Sequence, residues 1–408
     1  MAVNLKKDIE VEVQLPYLNI GYRGDYSTLG NLYSDPDRLE ESFRLVRQEL
    51  SKSETPTRLR LMIFAHGGLN GETSAALTHL YLNNHLYKQI PNAMAFPIFW
   101  ESGLLDVTGY LLKNTPYGEA FLQSTNAEES APPTDTDSLQ RRTGKNVPVS
   151  RPNPRPEAAR QARAVELLLR LSGLGAFGRR LWDTMKFQTK NSFSGNATAL
   201  NTNEEMPGRA FLRKLITLKL EFPDRLKVNL LGHSAGAILL GHMLEATATL
   251  KRESRAKSES FPERLFDHLI FLAPAITYVD FENHVWRNQD LYGDLCLFAL
   301  QQEYENDSLE LLHEIYPATL LYLVSNVFEE QVGAKLIGLQ RDSGATLRQT
   351  DFTAVRDYLV NSPAVRTVWS PDSTASSGLH SGATSHGGFP RDAETLQSIL
   401  SVVMVDPP

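Results

Sequence analysis

The sequence predicts an α/β protein: a mostly parallel central sheet with helices on both faces, interrupted by a large helical insertion. Three observations lead there. Short, mostly apolar runs at 59–65, 93–100, 226–231, 269–273, 295–300 and 365–369 read as strands, those at 59–65 and 269–273 as buried ones. Segments with helical apolar spacing separate most of them. The alternation breaks at length only between Glu101 and Phe222. These features divide the chain into a core piece at 1–102, an insertion at 103–207 and a second core piece at 208–408.

The first element is an alternating apolar and polar segment from Ile9 to Leu15, expected as a half-buried edge strand. Asp35 and Pro36 open a helix through about residue 50, aspartate as N-cap and proline at the first helical position. The strand at Leu59–Ala65 stops in His66, Gly67, Gly68, Leu69 and Asn70. A helix from about Thr73 to Lys88 and a strand at Ala93–Trp100 complete the first piece.

Within the insertion, residues 124–158 are rich in Ser, Thr, Pro, Asn and charge, too little apolar surface to fold alone, and are expected as a loop. From Glu157 to about Phe187 the pattern is helical, with Leu167, Leu168, Leu171, Leu174, Leu181, Trp182 and Met185 supplying apolar surface. Gly173, Gly175 and Gly178 are expected to break it in two. Arg160, Arg163, Arg170, Arg179, Arg180 and Lys186 make it basic. The leucines need somewhere to be buried, which favours a cap packed over the core; the same basic, leucine-rich face also suits contact with a membrane surface or a partner protein. The second piece continues with a helix near 208–221, strand 226–231, helix 235–248, and strands 269–273 and 295–300. A helix around 317–330, strand 365–369, a loop containing His386 and a closing helix at 391–403 follow.

With 408 residues and a formal charge of −7, the chain gives no electrostatic reason to expect nucleic acid as a partner. Its single cysteine, Cys296, excludes an intrachain disulfide, fits a reducing compartment and sits in an apolar run as a small core residue. The first residues lack the apolar stretch of a secretory signal, so the expectation is cytoplasmic, although export by a signal-independent route would leave the same sequence. The sequon at Asn196 to Thr198 is then read as chance. There is no His-Glu-x-x-His pattern, cysteine pair, phosphate-binding loop or dinucleotide fingerprint, hence no expected metal or cofactor.

The most informative segment is Gly232, His233, Ser234, Ala235 and Gly236, between an apolar strand and an apolar helix. A strand–turn–helix carrying G-x-S-x-G is the context of a nucleophile elbow. The turn strains the serine backbone, and its neighbours two before and two after must be small to let strand and helix pass closely. The Ala235 N–H then heads a helix, aimed at an oxyanion.

With this motif the chain resembles the α/β-hydrolase superfamily over most of residues 55–405. That resemblance implies a nucleophile after the fifth strand of the fold, an acid after the seventh and a histidine after the eighth, the order Ser234, acidic residues, His386. A serine hydroxyl needs a base, and His386 lies where the superfamily places it, with Gly387 and Gly388 letting the loop bend inward. His380 is the second candidate, and His233, inside the elbow, is not expected to bond to its neighbour's hydroxyl. The carboxylate that orients the imidazole is expected at Glu305, with Asp307 and Glu303 close behind. Glu329 or Glu330 would take the role only if 319–325 were a strand, which the helical spacing of 318–330 opposes. His66, Gly67 and Gly68 resemble the superfamily's oxyanion loop, with Gly68 or Leu69 joining Ala235 as donors.

The resemblance implies a serine hydrolase of carboxylic esters, esterase- or lipase-like, acting through an acyl-enzyme on a small-molecule or lipid-like ester. The same triad serves a thioesterase, an amidase or peptidase, or an acyltransferase, and a hydrolase fold can also be a non-catalytic binding module.

Overall fold

In the computed structural model the described residues are 16–28, 32–52, 58–68, 71–100, 156–171, 174–194, 205–306, 316–343, 352–374 and 378–407. The expected strand at Ile9–Leu15 and the loop at 124–158 lie outside them.

Seven strands, β1 (Leu18–Ile20), β2 (Leu59–Ala65), β3 (Ala93–Trp100), β4 (Leu226–His233), β5 (Phe266–Leu272), β6 (Tyr292–Leu300) and β7 (Val365–Ser370), form one sheet in the order β1-β3-β2-β4-β5-β6-β7. Every pair is parallel. Parallel strands need crossovers, and the connecting helices cover both faces. On one face Leu61, Ile63, Val228, Leu230, Leu269, Phe271 and Leu295 pack with helices α1 (Pro36–Lys52), α5 (Pro207–Glu221) and α6 (Gly236–Ala256). On the other, Met62, Phe64, Leu231, Ile270, Cys296, Phe298 and Val368 pack with α2 (Glu72–His85) and α10 (Ala393–Val403). The period-two alternation divides each strand's side chains between two cores. Cys296 lies in the second, and burial pushes its thiol up to about 12.

Asp35 caps α1 as expected, its Oδ1 accepting from the Arg38 N–H at 2.6 Å. The helical part of the insertion comprises α3 (Pro156–Leu171) and α4 (Leu174–Ser192). Of the three glycines expected to break it, Gly173 lies outside the described residues. Gly175 and Gly178 are inside α4, where a Cβ on Gly178 would come 2.6 Å from the Phe328 ring and one on Gly175 3.2 Å from Val327. They serve close packing against Val324–Phe328, which continues α8 (Leu320–Leu323) as a wider π turn. That helical stretch rules out the alternative strand at 319–325. Leu167, Leu168, Phe177 and Phe187 of α3 and α4 are exposed, while Trp182 and Met185 are buried.

Among the described elements without a counterpart in the expectations are β1, a helical stretch from Tyr278 to Leu291, and α9 (Thr353–Asn361). The short α7 (Gln302–Asn306) follows β6. Among the described residues no helix is long and apolar enough to cross a membrane.

The strand order fixes where a site can form. From β2 the chain moves to β3 on one side, then returns to place β4 on the other side of β2. The C-terminal ends of β2 and β4 are therefore the switch point of the sheet, where parallel α/β sheets open a crevice.

Candidate functional site

Both sequence motifs emerge at that switch point. Ala65 at the end of β2 pairs with Gly232 near the end of β4, so the segments that follow them leave the sheet side by side.

Ser234 has φ = 54°, a left-handed conformation that a non-glycine residue adopts only when its surroundings hold it there. Its N–H donates to the Leu272 carbonyl at 2.9 Å, and its own carbonyl accepts from Ala237 N and Ala275 N. The turn after β5 thus clamps the turn after β4. A Cβ on Gly236 would overlap the Ala65 carbonyl oxygen, and one on Gly232 would come 2.9 Å from Leu240 Cδ1. Close approach therefore requires the glycine two after the serine and leaves little room at the one two before it. Ala235 is the N-cap of α6, and the first N–H groups of a helix have no partner within it.

Across the seam stand Gly67 and Gly68. A Cβ on Gly67 would lie 3.1 Å from Ser234 Cβ, and one on Gly68 3.0 Å from Ala235 Cβ. Their turn is fixed by His66. The His66 Nδ1–H donates to the Gly67 carbonyl at 2.8 Å, and Nε2 accepts from Trp100 N at 3.2 Å. That arrangement requires a neutral ring, and burial holds its pKa down to about 4. Because the peptide unit is planar and trans, the Gly68 N–H points opposite to the Gly67 carbonyl, away from His66. Leu69, the other expected donor, lies outside the described residues.

His386 begins a short 3-10 turn, His386–Arg391, that packs against β6, α2 and α10. Neither Gly387 nor Gly388 takes a left-handed φ, so the inward bend does not depend on glycine conformations. His386 is buried; desolvation first, and then the nearby His233, hold its pKa well below the ordinary value. His233 is tied to the same turn. Its Nε2–H donates to the His386 carbonyl at 3.0 Å, with the rings 5.2 Å apart, and burial lowers its pKa to about 4. The elbow's own histidine therefore fastens the backbone of the histidine expected as base, a link that no sequence pattern signals. His380 is half-buried, its backbone bonded both ways to the Ser398 hydroxyl.

Glu305 sits in α7 just after β6, fully buried. Its Oε1 accepts from Gln340 N at 3.0 Å, while Oε2 has no hydrogen-bond partner among the described residues. Burial raises its pKa to about 8, opposed by the Gln340 bond and Arg341. The structure gives no hydrogen bond between Glu305 and His386. Glu303 is exposed, and Asp307 lies outside the described residues. Glu330 is exposed; Glu329 instead accepts from Trp182 Nε1 at 2.5 Å and Lys186 Nζ at 2.8 Å, fastening α4.

One further residue enters from α4. Met185 is buried against Gly68, where a Cβ on the glycine would overlap its Cε. Comparison with known protein families, with curated proteins and with solved structures finds no match to this chain.

Proposed function

We propose that the chain is an α/β-hydrolase-type serine hydrolase cleaving carboxylic esters, with α3 and α4 as part of a cap over the site. The observation that carries this reading is Ser234 itself: a serine strained at φ = 54° between two closely packed glycines, at the switch point of a parallel sheet, facing Gly67 and Gly68. Strain of this kind costs on the order of 1–3 kcal/mol and persists where the surroundings enforce it, most often at functional sites.

In the proposed mechanism Ser234 Oγ attacks the ester carbonyl carbon while His386 takes its proton. The developing oxyanion is stabilised by the Ala235 and Gly68 N–H groups. The imidazolium then protonates the departing alcohol, leaving an acyl-enzyme, and water attacks that ester with His386 again as base. Burial keeps the resting imidazole neutral, the form a base requires. Glu305 is the proposed orienting carboxyl because its buried Oε2 is an acceptor left open. Burial raises its pKa to about 8, and a positive imidazolium formed beside it favours the ionised form that accepts from the ring.

A fluorophosphonate probe is expected to label the wild-type protein and not Ser234→Ala. Failure to label the folded wild-type chain would overturn the reading. For the carboxyl, Glu305→Gln and Asp307→Asn are compared at equal folding stability. Loss of turnover in the second alone removes Glu305 from the mechanism.

A further inference from the structure

We propose that Met185 is the specificity-determining residue of this site: an adjustable roof over the Gly68–Ala235 seam that restricts the acyl group to short chains. The inference rests on the serine-hydrolase reading and deepens it.

Gly68 and Ala235 carry the two proposed oxyanion donors, and their Cβ positions would be only 3.0 Å apart. A carbonyl held on Ser234 with its oxygen at those donors must place its acyl substituent within a few bond lengths of the seam. On the Gly68 side of the seam stands Met185. Its Cε packs on Gly68 closely enough that no methyl fits between them, and its Sδ lies 3.4 Å from the same Cβ position. Met185 is 4% exposed and Ser234 is 7% exposed, so the roof is seated.

The helix bearing this roof is fastened on both sides of the methionine. Trp182 and Lys186 donate to Glu329. Gln188 Nε2 donates to the Ile20 and Gly21 carbonyls at 3.2 and 2.9 Å. Thr189 hydrogen-bonds the buried His242 of α6 at 2.8 Å. With the α4 backbone held at four positions around residue 185, room for an acyl chain comes from the methionine side chain. An unbranched thioether with three rotatable bonds can swing aside by a small amount but cannot vanish. Acetyl and butyryl groups are accommodated by that movement, whereas longer chains collide with the helix behind it.

The test compares kcat/KM for p-nitrophenyl acetate, butyrate and octanoate in unlabelled wild-type, Met185→Ala and Met185→Leu proteins, a separate sample of each being checked for fluorophosphonate labelling and for an unchanged unfolding transition. Wild type is expected to favour the short esters. Met185→Ala is expected to raise the octanoate-to-acetate ratio by about tenfold or more, the scale on which a few methylenes are discriminated. Met185→Leu keeps the volume but stiffens the roof, and is expected to lower butyrate relative to acetate. It also carries the test if the alanine variant does not fold. Variants that label normally but keep the wild-type chain-length ratios overturn the assignment and leave the hydrolase reading standing. Absence of labelling in the folded wild-type protein overturns both.

Discussion

Ser234 shows how much a single backbone conformation asks of its neighbours. Its left-handed φ turns the chain within one residue from β4 into α6, bringing Gly236 against the Ala65 carbonyl and Gly232 against Leu240. These two contacts differ in kind. The Leu240 methyl can yield by a rotamer change, but the Ala65 oxygen belongs to a central strand bonded on both sides. Gly236→Ala is therefore expected to cost about 2–3 kcal/mol or more, the range for forcing a methyl into a packed interior. Gly387→Ala makes a sharp control, since its Cβ would meet no atom within 4 Å, and should stay within about 0.5 kcal/mol. Urea unfolding at constant slope measures both, and equal costs at the two positions would show that the elbow glycine is not held by the strand. This part of the site was legible in the sequence because the spacing of Gly232, Ser234 and Gly236 is imposed by sterics at short range. Met185 was legible only as an apolar helical residue, because tertiary packing alone brings it to Gly68.

At the scale of elements, strands β2 and β3 coincide with the apolar runs that predict them. Burial on both faces leaves an unbroken hydrophobic signal with abrupt polar ends. What escaped had no such signal. β1 is three residues long, and the stretch from Tyr278 to Leu291 passes from α to π to 3-10 geometry, so no single period runs through it. Gly175 and Gly178 were misleading for a related reason: a glycine that admits a neighbouring helix looks in sequence like one that ends its own. The carboxylates show the same limit. Glu329 reads in the sequence only as an alternative acid, yet its role in the fold is to hold α4, and no local pattern announces a partner so distant in sequence. Glu329 is buried, so Glu329→Ala leaves the Trp182 N–H without its acceptor and is expected to cost about 2–4 kcal/mol. Glu329→Gln keeps an acceptor and loses only the charge facing Lys186, which is 24% exposed and can turn to water. Its cost should be about 1 kcal/mol. Amide hydrogen exchange should quicken across 174–192 in the alanine variant while β4 and α6 stay protected. Unchanged exchange in α4 would show that other contacts fasten the helix.

Across the described residues the fold buries several imidazoles. Burial is the leading cause that lowers His66, His79 and His233 to about 4, His242 to about 3, and His386 well below its ordinary value. In the unfolded chain each of these five takes up a proton as the pH falls through about 6.5, whereas in the folded chain each stays neutral until well below that. Between those limits the unfolded state binds more protons, so stability is fully present above 6.5 and is lost as the pH falls toward 4. Glu305 acts in the opposite sense. Raised to about 8, it keeps a proton that the unfolded carboxyl releases near 4.5, so its contribution declines as the pH rises between those values. Five groups against one give a net uptake of protons on unfolding near pH 5. Each proton taken up is worth about 1.4 kcal/mol per pH unit. His79 isolates the effect, because it lies outside the proposed site and neither ring nitrogen has a hydrogen-bond partner among the described residues. Its surroundings are the Tyr87 and Phe99 rings, so a leucine fits the chemistry of the position. Urea unfolding from pH 4.5 to 8 should show wild-type stability falling steeply below about 6.5. His79→Leu should lose about one proton from that slope and gain stability relative to wild type at pH 5, with fluorophosphonate labelling unchanged. A wild-type stability that does not change between pH 7 and 5 would mean that these imidazoles reach water in the folded protein.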